Sequence, residues 1–125
     1  MADKVDLHSV VESICWQDRR YKPDAYEFVL EALYFTQKEL KKSGHISGKE
    51  LLEGVREFAL QQYGPMARTV FTHWGISKTD DFGNIVFNMI DKKLLSKTEM
   101  DTIEDFRDVY EFDTALKPAL GDIKL

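Results

Sequence analysis

The chain has 125 residues, of which 43% are hydrophobic and 12% aromatic, so it is long and apolar enough to fold around one core. This composition excludes an intrinsically disordered chain, and a single cysteine, Cys15, excludes an intrachain disulfide and a cysteine-built metal cluster. A lone thiol fits a reducing compartment, and the sequence shows neither a secretory signal nor a membrane-length apolar run, so we expect a cytoplasmic protein without a membrane partner.

The net charge of −5 is concentrated near the C-terminus. Residues 96–113 contain two basic and seven acidic side chains and so carry a charge of −5 by themselves, which leaves the rest of the chain close to neutral. No segment is basic enough to neutralise phosphates in the way that binding of DNA or RNA requires. Nucleic acid is therefore an unfavoured partner.

Two helices are predicted before residue 43. The apolar residues of 7–20 recur at i, i+3, i+4 and i+7, which is the spacing of one helix face. Pro23 disfavours helical geometry at the residue before it and suits the start of a second helix, from about 24 to 42. This second helix has apolar residues on more than one face, so we expect it to be central and buried on two sides.

The third helix has the clearest predicted start. Ser47 and Glu50 have the spacing of a capping box, in which each side chain accepts the other residue's backbone N–H. Ile46 and Leu51 flank this box in the positions of a hydrophobic staple.

The stretch QQYGPMARTVFTHWGI, residues 61–76, predicts a tight corner between two helices. Gly64 suits the left-handed cap that ends the third helix, and Pro65 suits the first turn of a short fourth helix. Gly75 then closes the fourth helix, and Ile76 is placed to fold back onto its last turn. The corner explains both glycines and the proline without a ligand.

Two further helices are predicted, a fifth over about 79–93 and a sixth over about 97–106. Ser96 and Glu99 place the start of the sixth, because they repeat the spacing of a capping box. Beyond it, residues 109–112 alternate enough to predict a small β element, and 114–125 are expected to be a loose tail.

The sequence therefore predicts a mostly α fold, a single helical domain over 1–125 built as a compact bundle of five to six helices. The order of the elements after Ser47 also matches a winged helix, which is the main specific alternative. The fifth helix would then be the recognition helix, yet it begins with Asp80 and Asp81, whose carboxylates would face phosphates. We expect a winged-helix fold of this charge to bind protein rather than DNA.

Arg68, His73 and Trp74, at the corner, are candidate binding residues. Arg68 lies near the N-terminal end of its helix, where the dipole mildly disfavours a cation. One interpretation is that Arg68 reaches back to Glu53, Glu57 or a C-terminal carboxylate and ties the corner together. The other is that Arg68 presents its guanidinium to an anion or a partner's carboxylate, with His73 and Trp74 completing a small surface.

Asp101, Asp105 and Asp108 are the candidate binding residues of the acidic segment. With Glu104 they recur every three or four residues, so a helix would gather the carboxylates along one edge, where each pair repels by roughly 0.2–0.5 kcal/mol. Water and salt can relieve this repulsion on a solvated face, and a basic protein partner could relieve it too. The sequence shows neither an EF-hand order of ligands nor a zinc pattern, so no metal, cofactor or catalytic residue is predicted.

A resemblance covers residues from about 26 to 113. It is carried by FVLEALYFTQ (28–37), ISGKELLEGVREFALQQYGPMARTV (46–70), HWGI (73–76), TDDFGNIVFN (79–88) and EDFRDVYEFD (104–113). In these motifs the chain resembles an uncharacterised bacterial family, the conserved hypothetical proteins of the verrucomicrobial and planctomycete type. The resemblance implies a small intracellular domain that stands alone, and it carries over no activity, cofactor or functional residue.

These features together predict a non-enzymatic protein-interaction module with an acidic C-terminal surface and a basic protein as its partner. The alternative from another class is a nucleic-acid-binding regulator of winged-helix type, which would need a contiguous basic surface. A third hypothesis is an enzyme that uses Arg68, His73 and carboxylates such as Asp80 and Asp81. It requires His73 to lie within hydrogen-bond reach of a carboxylate inside a pocket.

Overall fold

The structure, a computed structural model, describes residues 6–117. Its α-helices in chain order are α1 (Leu7–Gln17), α2 (Pro23–Leu40), α3 (Gly48–Tyr63), α4 (Ala67–His73), α5 (Thr79–Asp91) and α6 (Phe112–Ala115). Two 3₁₀ turns, Gly64–Met66 and Ile103–Phe106, lie between them. The mostly helical, compact fold is confirmed. Within 6–117 no strand forms, and residues 109–111 of the expected β element are irregular while Phe112 begins α6.

Helix α2 lies at the centre of the fold and contacts α1, α3 and α5. Its buried side chains cover more than one face: Ala25, Tyr26, Phe28, Val29, Ala32 and Thr36. At the crossing with α3, a methyl group added to Gly54 would overlap the hydroxyl oxygen of Thr36. Glycine therefore allows the two backbones to approach this closely, and the expected two-sided burial of α2 is confirmed.

The capping box at the start of α3 forms as predicted. The Ser47 hydroxyl accepts the Glu50 backbone N–H at 3.1 Å, and the Glu50 carboxylate accepts the Ser47 N–H at 2.9 Å. Two of the N–H groups that a helix start leaves without a partner are thereby satisfied. The box also fixes Ile46, the residue before it, against the core.

The corner between α3 and α4 is also confirmed. Gly64 and Gly75 have positive φ values of 50° and 90°, which residues that carry a Cβ rarely adopt. Gly64 does not form the predicted left-handed cap, because its ψ is −129°, and the 3₁₀ turn Gly64–Met66 joins α3 to α4. After α4, the Ile76 N–H binds the carbonyl of Phe71 at 2.9 Å, which is the closing bond of a Schellman motif. A Cβ on Gly75 would overlap the carbonyl oxygen of Arg20, so the corner packs directly against the α1–α2 connection.

The sixth helix predicted over 97–106 does not form. The carboxylate of Asp101 accepts the Thr98 N–H at 2.8 Å, and that of Asp105 accepts the Thr102 N–H at 3.1 Å. Short acidic side chains compete in this way with helical backbone bonds, so the chain makes two separate capped turns. The predicted box of Ser96 and Glu99 is absent among these described residues.

Phe106 fixes the segment after α5 against the core. It packs so tightly between Gly48 and Gly83 that methyl groups added there would come within 3.0 and 2.8 Å of Phe106 atoms. The Thr79 hydroxyl, fully buried, donates to the Phe106 carbonyl at 2.7 Å and accepts the Val109 N–H at 3.0 Å. One buried hydroxyl therefore holds two backbone groups of the acidic segment.

Helix α5 is a core helix. Phe82, Ile85 and Met89 are completely buried, and no residue from Thr79 to Ile90 is exposed. A recognition helix has to present side chains to a DNA groove, and over this range α5 offers only buried or half-buried ones.

The ends of the predicted domain lie partly outside the described residues. Of the expected loose tail 114–125, Thr114 and Ala115 end α6, Leu116 is buried in the core, and 118–125 fall beyond the described range. From residue 6 to residue 117, no helix is long and apolar enough to cross a membrane.

Candidate functional site

A cleft of about 430 Å³ lies between α2, α3, α5 and the segment that follows α5. Its apolar wall consists of Leu33, Ile46, Leu51, Val86, Phe87, Ile90, Leu95 and Phe106. We call this feature the apolar cleft. Its volume falls within the roughly 300–1,000 Å³ of known ligand sites, which are likewise apolar with a few polar groups at the edge.

Local structure explains how the segment after α5 reaches the cleft. Lys93 adopts the left-handed conformation with φ of 63°, and the Leu94 N–H then binds the Met89 carbonyl at 2.9 Å. This reversal directs Leu95 back over α5, where Val86 and Ile90 lie one helical turn apart on the facing side. One face of α5 and the returning chain therefore form two sides of the cleft.

A histidine–carboxylate pair lies at the edge of the cleft. His45 Nε2 is 2.7 Å from Asp101 Oδ2, and the pair joins the loop before α3 to the acidic segment. Burial raises the pKa of Asp101, but hydrogen bonds from Thr98 and His45 have the larger combined effect and lower it. Sequence reasoning missed His45 because its partner is 56 residues away and no spacing signals the pair.

Asp105 adds a second carboxylate to the lining of the cleft. The residue is half-buried, and within 6–117 its carboxylate accepts one hydrogen bond, from the Thr102 N–H. No ion pair to Asp105 occurs in the same range of residues. Lys97 also lines the cleft, and its ammonium donates to the carbonyl of Thr98 at 3.3 Å.

Large apolar side chains are exposed beside the cleft. Met100 is 85% exposed and Ile103 is 42% exposed. Met100 precedes Asp101, which lines the cleft, and Ile103 lies between Asp101 and Asp105, two residues from each. Exposed apolar surface next to a concave apolar site is typical of an interaction surface, and methionine adapts its shape to different partners.

The predicted acidic edge is not a helical edge. Asp101, Glu104, Asp105 and Asp108 lie on capped turns, and Asp108 has a positive φ of 47°. The structure brings Asp101 and Asp105 to the apolar cleft, whereas Asp108 lines a second cleft, of about 420 Å³. Asp101 and Asp105 cap separate turns and no α-helix runs through these residues, so the i, i+4 repulsion expected for a helix does not apply.

Arg68 lines this second cleft and forms an ion pair with Asp113, a residue near the C-terminus. A C-terminal carboxylate is one of the partners that the first interpretation of Arg68 names, and the role of Arg68 in holding the corner stays a prediction. Both side chains are more than half exposed, so water screens the pair.

The predicted surface of Arg68, His73 and Trp74 is not assembled. Trp74 is only 8% exposed and packs against the rings of Phe28 and Tyr63, with centroids 5.4 and 5.8 Å away. Trp74 is the C-cap residue of α4, and its side chain is part of the hydrophobic core. His73 is exposed, and no hydrogen bond or ion pair ties its side chain to any residue between 6 and 117.

Asp80 and Asp81, the carboxylates of the enzyme hypothesis, accept hydrogen bonds from groups that hold the fold together. Asp80 accepts the Asp108 N–H at 3.0 Å, and Asp81 accepts the Ser77 N–H at 2.8 Å and the Tyr21 hydroxyl at 2.5 Å. In the described part of the chain, His73 contacts neither of them through a hydrogen bond. No group of three or more potential metal-binding side chains lies together there either.

Comparison of the chain with protein-family models, with curated proteins and with solved structures gives no match. The resemblance to the bacterial family stays a prediction. The apolar cleft and the acidic segment beside it are the features from which a function can be argued.

Proposed function

We propose that the chain is a non-enzymatic protein-interaction module that binds a basic partner protein at its acidic C-terminal surface, in the cytoplasm. The observation that carries the proposal is that the acidic segment 96–113 borders the apolar cleft. Apolar surface can supply binding energy, and carboxylates around it attract a basic partner and fix its orientation. The apolar cleft and the acidic segment are therefore close enough for one partner to contact both.

Charge on this surface remains available to a partner. Glu99, Asp108 and Glu111 are exposed, and their carboxylates form no ion pair within residues 6–117. Glu104 forms only an exposed pair with Arg107, at 3.1 Å. Attraction of a basic segment to such a surface is expected to raise the association rate at low salt.

The winged-helix alternative has less support. Its recognition helix would be α5, whose residues from Thr79 to Ile90 are buried or half-buried. Of the arginines that a basic surface could use, Arg56 pairs with Glu53 at 2.6 Å and Arg68 pairs with Asp113. The enzyme alternative lacks a contact between His73 and a carboxylate in the described part of the chain. Neither alternative has an observation in its favour comparable to the acidic border of the apolar cleft.

An affinity pull-down from native cells at low salt tests the proposal, with the bound proteins identified and nucleic acid assayed in the same eluate. Reversal of Asp101 and Asp105 would disturb the turns that they cap, so exposed acids of the segment are reversed together: Glu99→Lys, Glu104→Lys and Glu111→Lys. A matched control makes the same charge change on exposed positions of α2: Asp24→Lys, Glu27→Lys and Glu31→Lys.

We expect a recurrent protein partner that the segment variant loses and the α2 variant retains. Equal retention by both variants would place the interaction elsewhere. Nuclease-sensitive nucleic acid in the eluate, without a protein partner, would favour the winged-helix alternative instead.

A further inference from the structure

We propose that the apolar cleft receives one large apolar side chain of the basic partner, and that Asp105 binds a lysine or arginine beside that side chain. This inference rests on the proposed function and adds the chemistry of the bound segment. The apolar residue that enters the cleft, which we call the anchor, is one such as leucine, methionine or phenylalanine. Lysine or arginine is its neighbour in the partner's sequence.

The wall of the cleft provides the reason for an apolar anchor. Leu33, Phe87 and Ile90 are only half-buried although they line the same cavity, so part of their apolar surface meets water there. An apolar side chain in the cleft would remove that surface, together with its own, from water. Met100 and Ile103 are exposed apolar residues of the segment that borders the cleft, and an extended protein segment could cover them as well.

Asp105 is the carboxylate best placed to receive the cation. Asp101 already has His45 as a partner at 2.7 Å, whereas Asp105 has no ion pair from residue 6 to residue 117. Lys97, the cation that also lines the cleft, directs its ammonium to the carbonyl of Thr98. The Asp105 carboxylate can therefore accept a charge-assisted hydrogen bond from a lysine or arginine of the partner.

The sign of the charge selects a basic protein segment over other occupants. A second copy of this chain carries the same net charge of −5, and nucleic acid and anionic membranes are negative as well. Each would meet repulsion at the acidic border of the cleft.

The probe is a phage-displayed library of short random peptides selected on the full-length protein. We expect the selected peptides to share a large apolar residue next to lysine or arginine. A representative peptide should bind about tenfold to a hundredfold more tightly than the same peptide with alanine at the anchor, as measured by fluorescence anisotropy. In the NMR spectrum of the wild-type protein, it should shift the methyl signals of Val86 and Ile90.

Two variants and one control variant locate the binding. Leu33→Trp fills the cleft and should abolish the advantage of the anchor, whereas Leu30→Trp, half-buried on the same helix but outside the cleft, should preserve it. Asp105→Asn keeps an oxygen to cap the Thr102 N–H and removes the charge. It should abolish the preference for lysine over glutamine beside the anchor. Circular dichroism checks that each variant folds.

The outcomes separate this inference from the proposed function. Selected peptides that are basic but gain nothing from the anchor, or that leave Val86 and Ile90 unshifted, would overturn the inference and leave the interaction module standing. Recovery of no peptide above the background of the selection would overturn both. If Leu33→Trp fails to fold, the methyl shifts of Val86 and Ile90 in the wild-type protein still test whether the peptide binds in the cleft.

Discussion

Thr79→Val should destabilise the protein by about 1.5–4.5 kcal/mol. Valine keeps the shape of threonine but lacks the hydroxyl that donates to the Phe106 carbonyl at 2.7 Å and accepts the Val109 N–H at 3.0 Å. The Phe106 carbonyl would lose this bond in a buried site, at a cost of about 1–3 kcal/mol. Val109 is partly exposed, so water can replace its bond and the loss there is about 0.5–1.5 kcal/mol.

Urea unfolding followed by circular dichroism measures this difference, with Thr72→Val as the matched control. The Thr72 hydroxyl also donates to a backbone carbonyl, that of Arg68 at 3.0 Å, but it is exposed on α4 and its loss should cost no more than about 0.5 kcal/mol. Hydrogen exchange at the Val109 amide should also become faster in Thr79→Val. Equal stabilities of the two variants would refute the role of Thr79 in holding the acidic segment.

Three further predictions concern the helix crossing, the corner and one buried tyrosine. Gly54→Ala should cost about 1–3 kcal/mol, because its methyl group would overlap the facing hydroxyl of α2. Gly44→Ala, whose methyl would meet nothing within 4 Å, is the control, and equal melting temperatures would contradict the close crossing. Arg68→Ala should cost no more than about 1 kcal/mol in urea unfolding, since its ion pair with Asp113 is exposed, and a larger loss would show a further role. Burial raises the pKa of Tyr26 from 10.0 to about 12, so its contribution to stability is present below pH 10 and is lost as the pH rises towards 12. Unfolding measured over this range should depend less on pH in Tyr26→Phe, and an unchanged dependence would contradict the assignment.

The candidate site could be predicted only in part. Counting charges pointed to Asp101 and Asp105, and both line the apolar cleft. The reason given for them was wrong, because each caps its own turn and no helix gathers them along one edge. His45 could not be found in this way, since nothing near it in sequence indicates that it pairs with Asp101.

Trp74 shows a related limit of sequence reasoning. It lies on the apolar stripe of α4 and also beside His73, so the sequence supported both a core role and a surface role for it. In the structure Trp74 is a core residue, because it packs against Phe28 of α2 and Tyr63 of α3. Such a choice depends on residues that are distant in sequence.

The sequence by itself determined the starts and ends of the helices whose signals are local. The capping box of Ser47 and Glu50 and the glycine-closed corner at Gly75 each depend on a few neighbouring residues, because their hydrogen bonds span three to five positions. Tertiary structure alone decided the path of residues 97–106 and the existence of the apolar cleft. There, Phe106 fits between Gly48 and Gly83 and is held by Thr79, and contacts between such distant residues outweigh the weak local preference for a helix.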